Sequence, residues 1–154
     1  MKHIIGIAML SAGLAIGAIA TPAAAQEEIV LACTPPAIRN LPMSRVTAAQ
    51  RNAVIACIFR RTAAEMNAQA PVPMGDGDVL QSVVAGGTTI FYNYRLNVAA
   101  EDFPPGQRRA LGEQTRANVC RSNMRETVGW GGRFGYNWFD RSGRLLHDIV
   151  VDRC

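Results

Sequence analysis

Gly87-Thr-Thr-Ile-Phe-Tyr-Asn-Tyr94 and Gly131-Gly-Arg-Phe-Gly-Tyr-Asn-Trp138 align without a gap. Glycine, tyrosine and asparagine recur at the first, sixth and seventh positions. Isoleucine faces phenylalanine at the fourth, and tyrosine faces tryptophan at the eighth. Aromatic and β-branched residues of this kind suit a pleated, half-buried surface, so both segments read as strands. Each follows a helical stretch and sits in a hairpin. The first is the second strand of its hairpin, however, and the second is the first strand of its own. The echo therefore reads as two sheet strands meeting one packing demand rather than as a duplication. Strand alternation puts Ile90, Tyr92, Tyr94 and Leu96 on one side of the first segment. Phe134, Tyr136 and Trp138 share one side of the second, and both sets read as core. The opposite side carries Phe91, Asn93, Arg95, Asn137 and Phe139. Its plainest reading is a solvated face. Its aromatic–amide–arginine character also makes it the candidate interaction face.

The rest of the chain is punctuated around these strands. Val79–Ala85 pairs with Thr88–Val98 across the Gly86-Gly87 turn, where glycine reaches positive φ without strain. Arg133–Asp140 pairs with Arg144–Asp152 across Asp140-Arg141-Ser142-Gly143. Thr47-Ala48-Ala49-Gln50 is a capping-box pattern. It opens a helix to about Ala68 with Ile55, Phe59, Thr62 and Met66 as its apolar stripe. Gln107–Arg121 is helical, and Ser122 starts a shorter helix ending near Gly129. Ala70–Gly77 is a loop on its proline and glycine content. The expected fold is α+β: a four-stranded antiparallel sheet of two hairpins, with helices packed on one face and disulfides as staples.

Met1-Lys2-His3, an uncharged apolar run from Ile4 to Ala20, and Thr21-Pro22-Ala23-Ala24-Ala25 have the three-part layout of a cleavable export signal. Cleavage is expected between Ala25 and Gln26. Removing 25 of 154 residues leaves 129. An uncleaved anchor is disfavoured, because the run falls short of the ~20 residues a span needs. Lipidation at Leu31-Ala32-Cys33 is disfavoured by Glu27 and Glu28 lying ahead of the cysteine. Residues 26–46, with Pro35, Pro36 and Pro42, read as an extended arm, and 47–154 as one domain. The chain is expected in the periplasm of a Gram-negative bacterium or outside the cell.

All four cysteines, Cys33, Cys57, Cys120 and Cys154, follow the signal. An even number in an exported chain reads as two disulfides, with three pairings open. The expected pairing is Cys33–Cys57, tying the arm to a helix, and Cys120–Cys154, clamping the last strand. After the signal the chain has no lysine, and its arginines are scattered. A nucleic-acid stripe would cluster them, so no nucleic-acid partner is expected.

The order of motifs resembles a loose group of small exported bacterial proteins. It comprises Asn67 at a helix end, Tyr92-Asn93-Tyr94, a helical Cys120, Gly132-Arg-Phe-Gly-Tyr-Asn-Trp138, Asp140-Arg-Ser-Gly143 and a closing Cys154. One similar group is the quorum-sensing-regulated virulence factors. The resemblance covers roughly residues 50–154. It implies an α+β fold and supports a Cys120–Cys154 bridge, and it transfers no catalytic residue.

No grouping of side chains points to catalysis. His147 is the one histidine after the signal. It shares an apolar alternation with Leu145, Ile149 and Val151, as a packed histidine would. Asp76, Asp78 and Asp140 hint at calcium but stand where turns want aspartate. Glu113 and Glu126 read as solvated helix carboxylates. Gly86-Gly87 and Gly131-Gly132 lack the lysine of a phosphate loop. No cofactor or metal is expected. The reading is a non-catalytic exported protein that binds another macromolecule, as an envelope accessory or effector. The alternatives are an inhibitor of an envelope or host hydrolase and, less favoured, a hydrolase using His147.

Overall fold

The echoing segments lie side by side. Thr89–Arg95 (β3) and Arg133–Phe139 (β4) pair in parallel, with 89 opposite 133, 92 opposite 136 and 95 opposite 139. The register offset is thus the same as that of the sequence alignment. The computed structural model describes residues 23–154, and the expected signal up to Pro22 lies outside them. Ahead of β3 come α1 (Ala23–Cys33), α2 (Pro36–Arg39), a 3-10 turn at Met43–Arg45, α3 (Ala48–Gln69), β1 (Val72–Gly75) and β2 (Asp78–Gly86). Between β3 and β4 come a 3-10 turn at Ala100–Asp102, α4 (Pro105–Arg121) and α5 (Met124–Gly129), and β5 (Leu145–Val151) follows.

The α+β class stands, but the sheet differs from the expected four antiparallel strands in two ways. It has five strands in the order β1-β2-β3-β4-β5, and its central pair is parallel while the others are antiparallel. Parallel neighbours need a long crossover, and α4 with α5 supplies it. The added strand, β1, lies in the stretch read as a loop. Its Pro73 cannot donate to a ladder, which an edge strand tolerates. Residues 26–46 are a further correction, since they are largely helical rather than extended. Pro36 occupies the first turn of α2, where its missing N–H costs nothing and its fixed φ suits a helix.

Helix α3 begins as its sequence dictates. The Gln50 N–H donates to Thr47 Oγ1 at 3.2 Å, and the Thr47 N–H donates to Gln50 Oε1 at 2.8 Å. It lays Ile55, Phe59 and Ala63 onto the sheet. There they join Leu80, Val83, Ile90, Phe134, Tyr136, Trp138 and Val151, with Val119 of α4 and Val128 of α5. Ile38 and Val46 form a smaller cluster with Val54 on the outer side of α3. At α3's other end, the Asn67 amide accepts from Val83 N–H at 2.8 Å and donates to Val83 carbonyl at 2.6 Å. It thereby stands in for a neighbouring strand where β1 has ended.

Disulfides join Cys33 to Cys57 and Cys120 to Cys154, at sequence separations of 24 and 34. The first fastens α1 to α3. The second fastens α4 to the segment after β5. Loops of these lengths correspond to about 3–4 kcal/mol each in the chain-entropy account.

Candidate functional site: the open face of the sheet

Every helix that packs on the sheet joins the single core on one face. Among the described residues no helix covers the opposite face, and the register orders it into rows. Val84, Phe91, Gly135 and Val150 lie across the four strands β2 to β5. Ser82, Asn93, Asn137 and Asp148 form the next row, and Val79, Arg95, Phe139 and Leu145 the third. Two apolar rows thus flank a polar one. All five residues of the candidate face, Phe91, Asn93, Arg95, Asn137 and Phe139, come together here.

The middle row is an amide ladder. Asn137 donates from Nδ2 to Asn93 Oδ1 at 2.8 Å, and Asn93 donates from Nδ2 to Ser82 Oγ at 3.0 Å. Paired to one another, these amides have part of their hydrogen-bonding capacity already met. In the first row the Phe91 ring lies across Gly135. A Cβ on that glycine would collide with Phe91 Cδ1, so only glycine admits the ring. Phe91 is therefore flattened onto the sheet and half-buried.

Sequence reading missed Val84, Leu145 and Val150, which stand 53%, 49% and 39% exposed on this face. Leu145 had been grouped with Ile149 and Val151. The ladder irregularity between Trp138 and Phe139 sends it to the other side. Val84 and Val150 alternate with the buried Val83 and Val151, and that alternation was the available signal.

The other candidate residues have local roles. His147 stacks on Trp138 with centroids 5.8 Å apart and lies under α4. Its Nε2 sits 2.8 Å from where a Gly112 Cβ would be. It lines a cleft of about 530 Å3 between α4 and β5 whose lining includes Glu113 but neither hydroxyl nor thiol. Asp78 Oδ1 accepts from Asn97 N–H at 2.7 Å, and the Asp76 carbonyl accepts from Asn97 Nδ2 at 3.2 Å, so this pair organises a turn. Asp140 accepts from Ser142 Oγ at 2.6 Å and from the N–H groups of Ser142 and Arg144 at 2.8 and 2.9 Å. The Ser142 hydroxyl first, and the Arg144 and Ser142 amides with it, lower its carboxyl to about 2. Among the described residues, no group of three or more His, Cys, Asp or Glu side chains is placed to hold a metal.

The tyrosines of the echo belong to the covered face. Tyr92 stacks on Tyr136 at 5.3 Å, and Tyr94 on Trp138 at 6.5 Å. Burial lifts the Tyr94 phenol to about 12. Burial, with the neighbouring phenols adding, lifts Tyr92 and Tyr136 further. All three are neutral at physiological pH and act as packing.

No protein family and no curated protein matches the sequence. Solved structures do match. A Pseudomonas aeruginosa protein assigned as secreted aligns with TM-score 0.57 at 13% identity, covering 66% of this chain and 92% of its own. The pilotin EpsS of the Vibrio vulnificus type 2 secretion system aligns with TM-score 0.57 at 14% identity, covering 67% and 92%. The pilotin AspS of the Vibrio cholerae type II secretion system aligns with TM-score 0.53 at 16% identity, covering 67% and 93%. None of these likenesses reaches the quorum-sensing-regulated virulence factors that the sequence motifs resemble. What the chain shares with the secreted protein and the pilotins is their fold.

Proposed function

We propose that this chain is an exported, non-catalytic accessory protein of the bacterial envelope that binds another protein through the open face of its sheet. The observation that carries this is the asymmetry of the sheet. One face is sealed by helices, while the other presents Val84, Phe91, Phe139, Leu145 and Val150 around an amide ladder. Exposed apolar side chains gathered on one face of a small domain around polar groups suit an interaction site. Export accords with the signal-like N-terminus and two disulfides. Among the described residues no helix is long and apolar enough to cross a membrane. The same fold serves secretion-system pilotins. Cleavage after Ala25 would take only the first three residues of α1 and leave Ile29 and Cys33 packed.

A photo-crosslinking amino acid at position 84 or 150, in the producing bacterium, tests the reading. Both positions should yield the same envelope-protein adduct, and the exposed α3 position Arg60 should not. Val84→Glu combined with Val150→Glu should abolish the adduct while the protein stays folded. Adducts formed equally at position 60, or none at 84 and 150, would overturn the assignment.

A further inference from the structure

The α4–β5 cleft holds two arginine head groups that make no ion pair among the described residues. Arg108 donates from Nε to the Phe103 carbonyl at 2.7 Å, from Nη2 to Ala100 at 2.9 Å, and from Nη1 to Leu146 at 3.4 Å. Arg116 donates to the carbonyls of Val150 at 3.2 Å and Arg153 at 3.4 Å. Among the described residues neither has a carboxylate within 4 Å, whereas Arg109 pairs with Glu113. A guanidinium has five N–H donors. Arg108 therefore keeps about two, and Arg116 about three, for another acceptor. Both head groups are fixed in place by backbone oxygens, so a ligand would meet charges that are already oriented.

The two arginines are eight residues apart on α4, which is ~12 Å along a helix. Between them Gly112 packs closely on His147 and Ile149, and these two side chains with Leu146 form the floor of the cleft. We infer that this cleft binds a segment of a partner protein in which two carboxylates flank an apolar side chain. In an extended segment, residues four apart span ~13 Å, which matches the ~12 Å rise between the two arginine positions, with the apolar residue lying between them against the cleft floor. Main-chain addition to the β5 edge is disfavoured, because Arg108 and Arg116 already occupy the Leu146 and Val150 carbonyls. Nucleic acid fits less well. Its phosphates recur every ~3.4 Å of axis along a strand, whereas these charges are widely separated and Glu113 stands between them. The inference concerns a separate surface and does not rest on the open-face reading.

The probes are fluorescein-labelled decapeptides with the core Glu-Ser-Xaa-Ser-Glu, Xaa being Leu, Ile, Met or Phe, and their glutamine counterparts. Anisotropy is read at low salt and again at about 0.3 M, where exposed charges are screened. At least one acidic peptide should bind below about 1 mM, and its glutamine counterpart should bind about tenfold more weakly or worse. Arg116→Glu should weaken binding by at least about tenfold through charge reversal. Arg116 is exposed, and this variant should keep its near-UV circular dichroism. Val84→Glu should leave binding unchanged, which separates this site from the open face. Absence of binding across the panel overturns the proposal, as does equal binding by glutamine peptides. Full competition by a ten-residue oligothymidylate would reassign the cleft to nucleic acid.

Discussion

Ile90 and Phe91 are neighbours in β3, yet they meet different worlds. Ile90 is 0% exposed within the core between the sheet and its helices. Phe91 lies half-buried on the open face, pressed sideways onto Gly135. The same contrast repeats across the sheet. On the covered face, aromatic rings stack from strand to strand and are sealed by helices. On the open face, apolar side chains lie flat or stand in water beside an amide ladder. Stability is concentrated in the first surface, and under the proposed function the second is left for recognition. A side chain shared by both purposes would be constrained by both, and strand alternation removes that conflict at no cost in chain length.

Substitutions should separate the two faces, beginning with the largest effect. Ile90→Ala removes a fully enclosed side chain and should cost about 2–5 kcal/mol in denaturant unfolding, with no direct effect on partner binding. A loss under about 1 kcal/mol would mean that the covered face is not the main store of stability. Cys120→Ser should cost about 3–4 kcal/mol, seen as a fall in thermal midpoint that reducing agent exceeds in the wild type by opening both bridges. Gly135→Ala forces the Phe91 ring off its seat and should cost about 1–3 kcal/mol. Phe91→Leu should relieve much of that cost, so a double-mutant cycle would show coupling between the two positions. Additive effects would break the account of the flattened ring.

Smaller effects concern the turn and the open face. The Asp140 carboxyl titrates at about 2 in the folded chain, below its ordinary ~4. The stabilisation from its hydrogen bonds is therefore present above pH 4 and is lost as the pH falls toward 2. Unfolding followed between pH 5 and 2 should show this slope, and Asp140→Asn should flatten it. Val84→Ala should stay within about 0.5 kcal/mol of wild type, as an exposed position does. It marks the low end of the contrast that Ile90→Ala opens.

Much of this architecture was written in residue patterns. Thr47 and Gln50 announced the start of α3, and the two alternating strands announced which aromatics face inward. Hairpin pairing is local, and so is its signal. What escaped was decided at a distance or by edge position. Nothing in Val72-Pro73-Met74-Gly75 distinguishes an edge strand from a loop, because its pairing depends on the exposed side of β2. Pro36 reads as a breaker until its place in a first turn is known. Which flanks of the two hairpins would meet depended on how α4 and α5 return the chain. The five residues proposed for the interaction face were legible from alternation. Val84 and Val150 carried the same alternation signal, whereas Leu145 did not, because its face follows from the ladder irregularity after Trp138. The α4 arginines escaped because the carbonyls that hold them belong mostly to other segments.

The parallel seam between β3 and β4 also sets an order of events. Everything from β1 to β3 is a meander whose partners are close in sequence, and β4 with β5 is a hairpin. Each can form by local encounters in microseconds. Joining them brings together residues 44 apart along the chain, as Asn93 and Asn137 are, and the entropy of closing that loop falls due before the contact rewards it. The sheet is thus assembled as two prefabricated pieces with one late weld. The stacked tyrosines, the tryptophan and the asparagine bridge are the material laid along that joint.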